Sequence, residues 1–164
     1  GLAENVGVEA SSLYNHIHSK SEILKEICFR VADIFITEIE KTEHANMPAL
    51  QKTEHLIRFH IQQMIDNFES VYVSDREWRY LQEPFLSAFR KQRRTYRKRF
   101  AQIIQDGIDN TEITQIDAAT AVLIMLHAIG GIEAWHRSRN KISARELEEN
   151  MVSILINGLQ KKNV

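Results

Sequence analysis

A chain of 164 residues suits one domain of ordinary size, and a 43% hydrophobic share with 26% charged residues supplies a core and argues against disorder. One cysteine, Cys28, excludes a disulfide framework within the chain, and a formal net charge of −1 is not the balance of a chain built throughout to hold nucleic acid. Two prolines, six glycines and short β-branched runs point to an all-α fold.

The elements follow in chain order. Leu2, Ala3 and Val6 read as the end of a helix stopped by Gly7. Residues 9–17 make a second, short helix. Ser19, with Glu22 three residues on, is a capping box for a helix running to about Thr42, whose apolar positions include Ile23, Ile27, Val31, Ile34 and Ile39. Cys28 falls in that stripe and reads as a buried, inert thiol. Pro48 suits the first turn of the next helix, with Leu56, Ile57, Ile61, Met64 and Phe68 on one face. Residues 70–74 read as a loop, followed by a short helix holding Trp78 and Leu81. Pro84 starts a long helix ending near Asp109, and Asp117 caps another ending near His136. Ser143, with Glu146 in the capping-box position, opens the last helix, which ends near Gly158. No strand or repeat is expected. No signal peptide is visible, and the longest apolar run, 118–132, is broken by Thr120, His127 and two glycines, so a cytoplasmic protein is expected.

The stretch "GVEASSLYNHIHSK", residues 7–20, holds a glycine turn between two short helices, which is the helix-turn-helix arrangement. Its second helix would present Ser11, Ser12, Asn15 and His16 to base edges and turn Leu13 and Ile17 inward. Tyr14 and Lys20 would reach phosphates. By pattern alone an ordinary helical corner fits as well. Residues 1–40 carry three basic side chains against seven acidic ones, which opposes DNA.

Ala3, Gly7, Val8, Leu13, Tyr14, His16, Ser19, Lys20 and Leu24, at their spacing, resemble the signature of the tetracycline-repressor (TetR) family. Glu9, Ser11 and Ile17 depart from it, and Glu9 places a carboxylate at the recognition-helix end. The resemblance implies a helix-turn-helix DNA-binding domain followed by a helical effector-binding and dimerisation domain. It assigns DNA contact to Ala10, Ser11, Ser12, Tyr14, Asn15, His16 and Lys20. The family's first helix and most of its second precede the point where this sequence starts. Residues 1–42 are therefore expected to be a partial DNA-binding domain with its linking helix, exposing Leu2, Val6, Leu13 and Ile17 and binding operator DNA weakly or not at all. Residues 43–164 would bind the effector and dimerise.

The last two long helices are unusually apolar, and between Ala118 and Ile132 apolar residues cover most of the circumference, which a partner copy would explain. The resemblance implies a homodimer through Leu123, Leu126, His127, Gly130, Met151, Ile154, Leu155 and Gly158, with two recognition helices reading a palindrome-like site. It implies an effector pocket in the middle helices, with His60, Met64, Phe68, Tyr72, Trp78, Phe85, Phe89 and Trp135 as candidate contacts, though each also fits an ordinary core. The segments "YRKRFAQIIQDGIDN" and "GGIEAWHRSRNKISARELEENMVSILINGL" resemble repressors of fatty-acid and steroid breakdown, whose effectors are acyl-coenzyme A esters. Residues 90–99 hold seven basic side chains, and Arg90, Arg93, Arg94 and Arg97 share one side of a helix. They read as a phosphate clamp or as a solvated face.

The seven histidines form no compact ligand set and no nucleophile has a partner at catalytic spacing, so neither metal, cofactor nor enzyme activity is expected. Residues and resemblance together point to a ligand-responsive repressor. A helical dimerisation or adaptor module is the alternative, but it leaves the spacing of Leu13, Tyr14, Ser19 and Lys20 unexplained.

Overall fold

The computed structural model describes residues 2–159 and 161, with side chains from Glu9 onward. Seven α-helices follow in order: α1 (Leu2–His44), α2 (Ala49–Asp66), α3 (Phe68–Glu77), α4 (Phe85–Asp109), α5 (Ala118–Gly130), α6 (Ile132–Arg137) and α7 (Ala144–Leu159). A 3₁₀ turn, Trp78–Tyr80, closes α3, and no strand occurs among the described residues.

Helix starts follow local chemistry. The Asp117 carboxylate accepts from Thr120 N at 2.8 Å and Thr120 Oγ1 at 2.6 Å, satisfying a first-turn donor. Ser143 and Glu146 form the reciprocal box, with Glu146 N donating to Ser143 Oγ at 3.1 Å and Ser143 N to Glu146 Oε2 at 2.9 Å. α2 has no cap of its own. Its first amides, Ala49 N and Leu50 N, donate instead to the Glu112 carboxylate at 3.3 and 3.5 Å, which ties the end of α4 to the start of α2.

α2 and α4 form the centre. Leu56, Ile57, Ile61, Phe100 and Ile104 are fully buried between them, joined by Ile39 of α1 and Val122 of α5. A smaller core of Cys28, Leu81 and Phe89 lies where α1, the 3₁₀ turn and the start of α4 meet. Burial pushes the Cys28 thiol up to about 11, consistent with an inert group.

The structure departs from the sequence reading in four places. α1 is one helix of 43 residues, with no turn at Gly7 and no cap at Ser19. Every side chain from Glu9 to Lys20 is exposed, so no tertiary contact competes with the helix's own hydrogen bonds, and Glu22 pairs with Lys25 at 2.7 Å instead of capping. The break after α2 falls at Asn67, so residues 70–74 are helical and the buried Ser74 belongs to α3. Trp78 begins the 3₁₀ turn and Leu81 follows it, so the two do not share a short α-helix. The helix from Asp117 is divided at Gly131, which separates α5 from α6.

Counted across that break, Ala118–Arg137 is long and apolar enough by composition to cross a membrane, which the sequence reading did not anticipate. Its inner side, from Ala121, Val122 and Met125 to Ile129 and Ile132, is buried in the main core.

Gly107 marks a close approach. A Cβ there would stand 2.5 Å from Ile113 Cδ1 and 3.2 Å from the Ala49 side chain. Gly107→Ala is therefore expected to destabilise by about 1–3 kcal/mol through overpacking, reversing the usual gain from Gly→Ala in a helix. A urea midpoint equal to or above that of the unaltered chain would contradict this.

Candidate functional site

The aromatic residues of the middle helices gather into three clusters. In the first, His60 of α2 shares a 2.6 Å hydrogen bond with Tyr96 of α4. The His60 ring stacks on Phe35 of α1 at 4.5 Å and on Phe100 at 6.1 Å. Burial lowers His60 to about 3, and burial, with Glu38 nearby, raises the Tyr96 phenol above its usual range. Both groups are therefore neutral near pH 7 and offer hydrogen bonds without charge.

The second cluster joins α3 to α6. Phe68 stacks on His136 at 4.1 Å and touches Tyr72 at 5.4 Å, while Trp135 lies against His136 at 4.9 Å. His136 Nε2–H donates to the Met64 carbonyl at 2.7 Å, and Trp135 Nε1–H donates to the Ile142 carbonyl at 2.9 Å.

The third cluster belongs to the smaller core. Phe29 of α1 meets Phe85 and Phe89 edge-on at 6.1 and 5.7 Å, and Trp78 packs on Phe89 at 6.1 Å. Lys25 sits over the Phe85 ring at 4.5 Å.

The effector candidates divide among these clusters. Trp78, Phe85 and Phe89 come together, as do Phe68, Tyr72 and Trp135; His60 belongs to its own cluster, and Met64 is buried in the main core. Phe29, Phe35 and His136, which bind these clusters together, carried no local signal beyond their place in a helix. A surface cavity of about 370 Å³ lies elsewhere, at the α1–α2 turn and the end of α4, lined by Met47, Pro48, Lys52, Asp106, Asp109 and Glu112.

On α4, Arg93 pairs with Asp75 at 3.1 Å and also lies over the Trp78 ring, as does Arg90. Arg94 and Arg97 have no ion-pair partner among the described residues. Burial, then Arg93 and Arg94, lowers the Arg97 guanidinium below its usual value. Arg99, by contrast, is held by Glu43 at 2.6 Å. The basic run thus divides into a paired inner residue and a mostly unpaired outer face, whose near end adjoins the third aromatic cluster.

α5 and α7 leave apolar side chains uncovered. Ile154 is 74% exposed, Leu123 56% and Ile124 57%; Ile124 was not among the sequence candidates. Leu126, Met151 and Leu155 are half-buried, and His127, Gly130 and Gly158 are exposed. Ala10, Ser11, Ser12, Tyr14, Asn15, His16 and Lys20 are all exposed on α1. Leu13 and Ile17, expected to turn inward, are 60% and 51% exposed, because nothing packs on that stretch of helix. The side chains of Leu2 and Val6 lie outside those described.

This arrangement matches known proteins. Residues 46–159 match the family model described as "Tetracyclin repressor-like, C-terminal domain". The chain is similar in structure to the ketosteroid transcriptional regulator KstR2 of Mycobacterium tuberculosis, with a TM-score of 0.79, 18% identity, and coverage of 93% of this chain and 79% of that one. A TetR-family regulatory protein from Rhodococcus RHA1 gives 0.77 and 18%, covering 92% and 80%. AibR, in complex with isovaleryl coenzyme A and operator DNA, gives 0.74 and 16%, covering 89% and 80%. A search of curated proteins finds no match.

Fold and matched segment together define a ligand-responsive transcriptional regulator, not an enzyme. The chain belongs to the TetR family.

Proposed function

We propose that the chain acts as a dimeric repressor, released from operator DNA by a hydrophobic effector of the acyl-coenzyme A class. The observation that carries the effector reading is the junction on α4 where Arg90 and Arg93 adjoin the apolar cluster of Trp78, Phe85 and Phe89. An acyl chain needs apolar surface and a coenzyme needs guanidinium partners for its phosphates, and here the two are adjacent. AibR, with its bound isovaleryl coenzyme A, supports the same class.

In this reading residues 1–42 carry the DNA-binding part and linking helix, and residues 43–164 the effector and dimer part. Ala10, Ser11, Ser12, Tyr14, Asn15, His16 and Lys20 contact DNA. Phe29 and Lys25 couple α1 to the start of α4, so an effector that moves α4 tilts α1. A coupling of about 1–3 kcal/mol suffices for such regulation. The uncovered apolar face of α5 and α7 is the dimer surface, and the location is cytoplasmic.

Native mass spectrometry with a panel of fatty acyl-coenzyme A esters tests both halves. The expected result is a dimer taking one ester per subunit, reduced to a monomer by Ile154→Glu. A dimer indifferent to every ester would remove the effector class, and a monomer at all concentrations would remove the interface.

A further inference from the structure

Three guanidinium groups converge on one indole. The Arg79, Arg93 and Arg90 carbons lie 5.2, 5.3 and 5.8 Å from the centre of the Trp78 ring. A single cation over a tryptophan is ordinary, but three repel one another. One carboxylate answers them, Asp75 on Arg93 at 3.1 Å, and among the described residues Arg79 and Arg90 have none in ion-pair reach. The mismatch has the same sign at the ring itself, because the buried Trp78 Nε1–H has no acceptor. Arg79, Arg90 and the indole N–H are thus left without an acceptor among the described residues.

We infer that Trp78 with Arg79, Arg90 and Arg93 forms a site for one compact oxyanion, a phosphate or diphosphate group of a small molecule. Arg79 joins the site from the 3₁₀ turn, not from α4, so the anion bridges the two elements that enclose the smaller core. Guanidiniums in a fork suit such a group, whose oxygens take several donors at once. An extended polyanion fits worse. The three cations gather about a single ring instead of following a strand. Arg94 and Arg97, beyond reach of the indole, fall outside the site.

The inference deepens the proposed function and rests on it for the source of the phosphate, namely the coenzyme end of the effector. Its test does not share that dependence. The chain has two tryptophans, so the ¹⁵N-labelled protein gives two indole signals, assigned by Trp135→Phe. Titration with inorganic pyrophosphate is expected to shift the Trp78 signal saturably and leave Trp135 unmoved. Arg79→Gln and Arg90→Gln, both at exposed positions, should each weaken that binding about tenfold, while Lys91→Gln, exposed on the same helix, should not change it. An unmoved Trp78 signal, or an equal response in Arg79→Gln, overturns the site. A response to random duplex DNA but not to pyrophosphate overturns it too, in favour of a nucleic-acid contact. Pyrophosphate binding that no acyl-coenzyme A ester displaces supports the anion site and overturns only the source of the phosphate.

Discussion

Phe100→Ala should cost about 3–5 kcal/mol, the range for truncating a fully buried aromatic side chain. Phe100 has no exposed surface, packs on both Tyr96 and the His60 ring, and belongs to the core that holds Leu56, Ile61 and Ile104. The lost apolar transfer and the cavity therefore add. For a domain stable by about 5–15 kcal/mol this is a large fraction, and Tm should fall on the order of 10 °C at a fixed protein concentration. Phe85→Ala is the comparison. Phe85 is exposed at the lip of the smaller core, and its loss should cost under about 1 kcal/mol. Similar losses in both variants would mean that the core is not centred on α2 and α4.

The second large effect is one of pH. Burial lowers the folded His60 from the ordinary 6.5 to about 3. The unfolded chain therefore binds a proton below 6.5 that the folded chain refuses until near pH 3. The contribution of His60 is fully present above pH 6.5 and is lost as pH falls toward 3, by about 1.4 kcal/mol for each pH unit well below 6.5. His60→Gln keeps a hydrogen-bonding partner for Tyr96 but cannot titrate. Urea unfolding at pH 7 and pH 5 should show the unaltered chain losing more stability than this variant, and parallel losses would mean that the imidazole is solvated.

Much of the fold was legible because its signals are local. Asp117, and Ser143 with Glu146, announce helix starts through side chains that bond their own first turn. The stripe of Leu56, Ile57, Ile61 and Met64 names a buried face without reference to any partner. The misjudged breaks are those that tertiary packing decides. Asn67 ends α2 without a glycine or proline to mark it, and Gly131 divides α5 from α6 although neighbouring Gly130 looks the same in sequence. The Ser19 capping box shows the opposite error: a correct local signal with no competing contact to make the chain turn there. The candidate site was legible as a list and not as a place. Aromatic residues on α2, α3 and α4 can be named from spacing, but whether Trp78 meets Phe89 or Phe68 depends on how the helices cross. Arg79 escaped notice because it lies outside the basic run, on a different element from the arginines it joins.

The long first helix has a consequence for amide exchange. Residues 28–42 include Cys28, Val31, Ile39 and Thr42, all buried, and Arg99 fastens Glu43 just beyond them. Residues 9–20 bury nothing, so their helical hydrogen bonds open at a cost set by local propensity alone, and a lone segment of that length is marginal in water. Deuterium should therefore enter the first stretch within the earliest time points and the second only with global unfolding. A surface that buried Leu13 and Ile17 would slow exchange there, and it could impose a turn at Gly7 or Ser19 against almost no resistance from the rest of the molecule.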